Sequence, residues 1–173
     1  MRSTLGESPW LRLPVVLAVA LMFQTTLLAE VRPFGASVDV AMLMAVCAGA
    51  AAGPGRGARA GLVVGFALDL LLAKPLPFGL SALVFALVGY AVGLLPDALY
   101  EGRWTTRALV VGAATAAGGL LYAVVATVFG VPNLSLSHVF AVLVVLGASG
   151  FALAPLFLRI MLWVLMAGDR VRA

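Results

Sequence analysis

Asp69 is the residue whose type and surroundings most suggest chemistry, because it stands inside an apolar run, FALDLL at residues 66–71. A carboxylate in apolar surroundings must find a hydrogen-bond donor or a charge partner. Three interpretations stay open for it. It is a proton or ion site, or a polar lock between helices or helix-end cap, or a side chain that only reaches outward near Lys74.

The remaining reactive side chains do not form a catalytic or metal-binding set. Cys47 is the single cysteine and His138 the single histidine, so there is no disulfide framework and no thiolate or histidine cage for a metal. The sequence also lacks a P-loop, a dinucleotide-binding glycine fingerprint, an H-E-x-x-H pair and a serine–histidine–aspartate set. We therefore expect a protein that is not an enzyme and that holds no cofactor or metal.

Small residues recur at intervals of four in two neighbouring apolar runs, which places them on one face of each helix. They are Gly57, Gly61 and Gly65 in the first run, with Asp69 on the same stripe, and Gly89 and Gly93 in the second, with Ser81 and Phe85 on the same stripe. Small residues let helix backbones approach closely in lipid, although G-x-x-x-G alone is a weak signal. We expect these two helices to pack tightly against each other or against a neighbour, and packing with no outside partner remains an alternative.

The composition explains what must position these residues. Of the 173 residues, 64% are hydrophobic and 10% are charged, whereas a soluble domain has about 45–50% and 25%. We therefore predict an all-α, polytopic integral membrane protein, with one transmembrane domain over residues 1–173. Six hydrophobic runs are long enough to serve as spans. They cover about 11–29, 36–53, 58–73, 78–95, 106–129 and 138–165.

The basic residues indicate the orientation of these spans. Six spans put nine Lys and Arg residues on one side and two on the other, which together account for all 11. By the positive-inside rule both termini are cytoplasmic, and Asp69 falls in the outer half of the bilayer. The inner set is Arg2, Arg12, Arg56, Arg59, Arg103, Arg107, Arg159, Arg170 and Arg172, and the outer set is Arg32 and Lys74.

Breaker residues and aromatic residues mark the predicted connections. The cluster Gly53–Gly57, which contains Pro54, is predicted to separate the second and third spans. Between the fourth and fifth spans, Tyr100 and Trp104 stand among charges of both signs. These two aromatics suit the headgroup belt, so we interpret this connection as an interfacial loop, with a cytoplasmic docking site as the alternative.

The stretch from Gly61 to Gly93 reads GLVVGFALDLLLAKPLPFGLSALVFALVGYAVG. It resembles the central motif of the rod shape-determining protein MreD family. In that family a glycine-containing helix ends in an aspartate, a short Pro and Gly loop follows, and the next helix ends in Gly-Tyr and a further Gly. The segment Ala73-Lys74-Pro75 departs from the Ser-Gly type of loop seen in family members. The matching positions are Gly65, Asp69, Pro77, Gly79, Leu80, Gly89, Tyr90 and Gly93.

The resemblance implies a function in bacterial cell-wall elongation. MreD-family proteins are non-enzymatic scaffolds of the inner membrane that bind the bitopic protein MreC. Through it they link MreB filaments to a RodA-type glycan polymerase and a class B transpeptidase. The resemblance also implies the six-helix fold of the substrate-binding S components of energy-coupling-factor transporters. It also implies eight candidate residues for helix packing or partner binding. They are Gly61, Gly65, Asp69, Pro77, Gly79, Gly89, Tyr90 and Gly93.

The alternative function is an S-component-like subunit that binds a vitamin for transport. Such a subunit needs polar groups around a ligand at its outer end, and the sequence supplies few there. They are Glu30, Arg32, Asp39, Lys74, Asn133 and His138. A membrane-embedded enzyme is a third and weaker hypothesis, because the catalytic sets are missing.

Overall fold

The computed structural model describes residues 16, 18–20, 22, 39–71, 77–95, 103–130 and 136–166. All regular structure in these ranges is helical and none is a strand, which confirms the all-α prediction. Apart from the helical residues near 16–22, the helices are α1 (Val40–Ala52), α2 (Pro54–Leu71), α3 (Leu80–Gly93), α4 (Trp104–Val128) and α5 (Leu136–Met166).

Several predictions from the sequence concern residues outside the described ranges. They are most of the first span, and the positions of Arg2, Arg12, Glu30, Arg32, Lys74, Tyr100, Asn133, Arg170 and Arg172, together with the side chain of His138.

The predicted bounds of the other five spans lie within a few residues of the helices, with one correction. The cluster Gly53–Gly57 does not separate two helices as a linker, because α2 already begins at Pro54. Proline fits the first turn of a helix, where its missing N–H would have no intrahelical acceptor. The connection is Gly53 alone, which has a φ of 82°. This positive φ favours glycine and lets the chain reverse in a single residue.

Two of the described helices are long and apolar enough to cross a membrane. They are α4 and residues Val139–Val164 of α5, whose mean hydropathies are 2.0 and 2.3. α1 and α3 have only 13 and 14 residues, about 20 Å of helix against a hydrocarbon core of about 30 Å. α2 has 18 residues, but Arg56, Arg59 and Asp69 are among them. A membrane association follows from α4 and α5, and the six-span arrangement remains a prediction.

The helices form two antiparallel pairs around a central helix. α2 packs on α3 and α4 packs on α5, while α1 contacts all four. Every residue of α1 from Val40 to Gly49 is buried, as expected of a helix that is apolar on all sides. The core therefore runs along α1, and the α2–α3 pair that carries the glycine pattern is fixed against it.

Candidate functional site

The half of the α2–α3 pair that contains Gly61 and Gly65 is in direct backbone contact. A methyl group added at Gly65 would lie 2.5 Å from the Ala82 Cα and 2.5 Å from the Ser81 carbonyl oxygen. One added at Gly61 would meet the Phe85 carbonyl oxygen and lie 2.6 Å from its carbonyl carbon. No side chain fits between the helices at these two positions. Gly61 and Gly65 of the predicted stripe on α2 thus lie in the interface with α3.

The half of the pair that contains Gly89 and Gly93 extends the same contact to α1. A methyl group added at Gly89 would lie 2.6 Å from the Gly57 carbonyl oxygen and 3.1 Å from the Ala45 carbonyl oxygen. At Gly93 an added methyl group would lie 2.5 Å from the Pro54 Cα. Three helices therefore meet through main-chain atoms, which brings many atoms into dispersion contact.

Asp69 is the acceptor at the other end of this interface. Its Oδ2 atom accepts hydrogen bonds from the backbone N–H groups of Gly79, at 2.9 Å, and Ser81, at 3.2 Å. These donors belong to the start of α3, where N–H groups have no intrahelical acceptor and the helix dipole favours a negative group. Among the interpretations left open by the sequence, this geometry is that of a helix cap. The carboxylate on α2 also locks α2 to α3.

The turn before α3 is built by Pro77 and Gly79. Gly79 is the N-cap residue and has a φ of 94°, a left-handed conformation that glycine adopts without strain. Its carbonyl oxygen accepts from the Leu83 N–H at 2.9 Å, and the Pro77 carbonyl oxygen accepts from the Leu80 N–H at 3.2 Å. The two motif residues thus set the direction in which the first N–H groups of α3 point, namely toward Asp69.

Ser81 is the polar residue that sequence reasoning placed in the stripe without giving it a partner. It is fully buried, and among the described residues its hydroxyl is the buried side-chain group that has no hydrogen-bond partner. The Ser81 backbone N–H is bound by Asp69. The side chain is therefore in the interface because it is small, and its hydroxyl adds no bond there.

The exposed side of the α2–α3 pair forms an open apolar groove of about 670 Å³. Small residues of α3 form its floor, and larger side chains of both helices form its walls. The floor is Gly79, Ala82 and Ala86, and the walls are Leu62, Phe66, Leu83, Leu87 and Tyr90. From Gly79, the N-cap residue, to Tyr90 the groove follows α3 for about 16 Å at 1.5 Å per residue. Phe66 meets Phe78 edge to face, with ring centroids 5.0 Å apart.

Sequence reasoning named Gly79 and Tyr90 but missed the other groove residues. Leu83, Leu87 and Tyr90 follow one another at three- and four-residue spacing, which in an apolar helix also describes an ordinary lipid-facing side. The distinguishing signal was the pair Ala82 and Ala86 beside them, because small residues next to large ones produce a concave surface. The eight predicted site residues therefore divide between the interface, the turn and the groove.

The described residues offer no chemistry beyond packing and capping at this site. No three His, Cys, Asp or Glu side chains among them come together to hold a metal ion, and Cys47 is buried in α1. No protein-family model, curated protein or solved structure matches the chain. The resemblance of residues 61–93 to a family therefore stays a prediction.

Proposed function

We propose that the chain is an MreD-like membrane scaffold of bacterial cell-wall elongation. It acts without catalysis, in the inner membrane, with six spans and both termini in the cytoplasm. It binds an MreC-like bitopic protein through its helices, and through it reaches MreB filaments, a RodA-type glycan polymerase and a class B transpeptidase. The observation that carries the proposal is the convergence of the motif residues on a single helix pair.

Different motif residues stabilise different parts of that pair. Gly61, Gly65, Gly89 and Gly93 bring the backbones together, and Asp69 fixes the end of α3. A pair held by main-chain contact has little freedom to change its crossing geometry, since packed interiors do not deform continuously. Rigidity of this kind suits a protein whose task is to present a constant surface to a partner.

The groove is the surface that we assign to the partner's transmembrane helix. A floor of Gly79, Ala82 and Ala86 allows a second helix to approach closely, which is how helices associate in lipid. The wall residues Leu83 and Leu87 are 63% and 52% exposed, so they are available for contact. A second helix can contact the exposed wall residues without separating α2 from α3, although the floor residue Ala82 belongs to both the groove and the interface.

Depletion in the host tests the function. Loss of a scaffold of lateral wall synthesis is expected to turn rod-shaped cells round, and the purified protein is expected to carry an MreC-like bitopic partner. Normal rods after depletion, together with no such partner, would contradict the proposal. Loss of vitamin uptake, or a vitamin retained in the purified protein, would instead support the S-component-like alternative.

Two groove variants test the assigned surface. Ala86→Leu fills the floor and Leu87→Ala removes part of a wall, and each is expected to lower partner affinity by about tenfold, equivalent to about 1.4 kcal/mol. Leu109→Ala is the matched control, since Leu109 lies on α4 and is 63% exposed. Co-purification of the partner measures the effect. Unchanged binding in both groove variants would place the partner on another surface.

A further inference from the structure

One end of the α4–α5 pair brings together charges and aromatic rings that the scaffold proposal does not use. The register of the pair follows from its glycines. A methyl group added at Gly112 would lie 2.7 Å from the Gly147 carbonyl oxygen and 3.1 Å from the Phe151 nitrogen. One added at Gly119 would lie 3.4 Å from a Val142 methyl group. The helices are therefore antiparallel, with Gly112 level with Phe151.

This register places three arginines at the same end of the pair. Eight residues before Gly112 is Trp104, and eight residues after Phe151 is Arg159, so both lie about 12 Å from the shared level. Arg103 is the N-cap residue of α4, next to Trp104, and Arg107 follows one turn later. All three arginines are exposed.

Two aromatic side chains lie beside these arginines. Trp104 is 65% exposed and contacts Phe151, with ring centroids 6.5 Å apart. Phe151 and Arg159 are both exposed, and their eight-residue separation puts them on neighbouring parts of one helix face. The surface thus combines guanidinium groups at its end with apolar rings toward the middle of the helices.

The described carboxylates lie elsewhere. Asp39 accepts a hydrogen bond from the Met42 N–H at the start of α1, and Asp69 caps α3. Met42 contacts Gly118, which is fifteen residues, about 22 Å of helix, from Arg103. Asp39 therefore lies far from the end of the α4–α5 pair that carries Arg103.

We propose that this end of the pair binds an anionic phospholipid. Arg103, Arg107 and Arg159 contact the lipid phosphate, whose geometry matches the guanidinium fork, while an acyl chain lies along Trp104 and Phe151. Basic clusters between helices at the cytoplasmic surface are suited to anionic headgroups, and tryptophan is typical of that depth. The proposal requires α4 and α5 to span a bilayer, but it does not require an MreC-like partner.

Native mass spectrometry of the purified full chain, with phosphatidylglycerol or phosphatidylcholine added, tests the site. The wild type is expected to retain phosphatidylglycerol in preference. Each arginine contributes about 1 kcal/mol near an anionic surface, or about fivefold in affinity. Arg159→Gln and Arg107→Gln are therefore expected to lower the preference by about fivefold each, and the combined variant R103Q/R107Q/R159Q to abolish it.

Arg56→Gln with Arg59→Gln is the matched control, because both arginines belong to α2 and Arg59 donates to the Gly55 carbonyl oxygen. The control is expected to keep the preference within about twofold, since it lies outside the site. Equal retention of the two lipids by the wild type would overturn the proposal. A control whose preference for phosphatidylglycerol falls as much as that of the Arg107→Gln or Arg159→Gln variant would also overturn it. Displacement of the lipid by millimolar inorganic phosphate would show a free-phosphate site and would also overturn it.

Discussion

The two antiparallel helix pairs both place glycines between helices, but the atoms that those glycines meet differ. In the α2–α3 pair, methyl groups added at Gly61 and Gly65 would collide with main-chain atoms. In the α4–α5 pair, one added at Gly119 would meet the tip of the Leu146 side chain, and one at Gly147 would find its nearest neighbour 3.7 Å away. The α2–α3 contact cannot adjust unless a helix moves. Parts of the α4–α5 contact can adjust, because a side-chain tip can move while the helices stay in place.

This difference separates two ways in which helices pack. Main-chain contact fixes a single distance and crossing geometry, and it comes with the short helices of 18 and 14 residues. Side-chain contact tolerates small changes, and it makes up part of the interface between the long helices of 25 and 31 residues, where Gly112 and Gly150 also make main-chain contacts. The glycine motif of residues 61–93 lies in the rigid pair and in the turn that joins its helices, and the proposed lipid surface lies on the pair that is partly adjustable.

Gly61→Ala is expected to have the largest effect among these variants. The added methyl group meets the Phe85 carbonyl, so α2 and α3 must separate. Overpacking of this kind costs about 1–3 kcal/mol, and occasionally more. We expect the free energy of unfolding to fall by about 2–3 kcal/mol in this rigid interface. Unfolding by SDS titration in mixed micelles, followed by circular dichroism, measures the loss.

Gly147→Ala is the control that makes the comparison quantitative. Its methyl group would lie 3.7 Å from the Ala116 Cβ and 3.9 Å from the Gly112 carbonyl oxygen, both ordinary contacts. Alanine also favours a helix over glycine by up to about 1 kcal/mol. The variant is therefore expected to be as stable as the wild type or slightly more so. Equal losses in the Gly61 and Gly147 variants would mean that the two pairs do not differ in rigidity.

Asp69→Ala is expected to cost less, about 1–2 kcal/mol of unfolding free energy, because it leaves two N–H groups of α3 without their acceptor. Asp69→Asn keeps a carbonyl oxygen at the same position and is expected to retain most of the stability. The same SDS titration separates the two variants.

Asp39→Ala gives the local reference for this effect. Asp39 caps α1 through the Met42 N–H at 3.0 Å, within its own helix, whereas Asp69 joins two helices. Asp39→Ala is expected to lower the free energy of unfolding by about 1 kcal/mol. If Asp69→Asn were as damaging as Asp69→Ala, the charge of Asp69 rather than its hydrogen bonds would matter, and the ion-site interpretation would return.

The sequence predicts the rigid pair better than the adjustable one. Glycines spaced by four residues mark a helix face directly, so the spacing of Gly57, Gly61 and Gly65 is enough to assign them to one interface. In the other pair Gly112, Gly119, Gly147 and Gly150 have no such spacing. Their contacts depend on the register of two long helices, which apolar composition does not encode.

The function of Asp69 could not be decided from sequence for a similar reason. Its donors are ten and twelve residues away, beyond a turn whose direction depends on the positive φ of Gly79. The predicted start of α2 is wrong because a proline can begin a helix as well as end one. The wrong bound and the open function of Asp69 both concern turns, where a single backbone angle decides which groups meet.

Ser81→Ala is expected to have the smallest effect and the opposite sign. The Ser81 hydroxyl is buried without a partner, so removing it relieves a desolvation cost, and alanine is the better helix former. We expect no change or a gain of up to about 1 kcal/mol. The matched variant in the adjustable pair is Thr115→Val, because Thr115 is also buried but donates to the Val111 carbonyl oxygen at 2.7 Å. Thr115→Val is expected to lose up to about 1 kcal/mol. A loss on Ser81→Ala as large as that on Thr115→Val would show that the Ser81 hydroxyl makes a stabilising bond, and that the rigid interface depends on more than backbone contact.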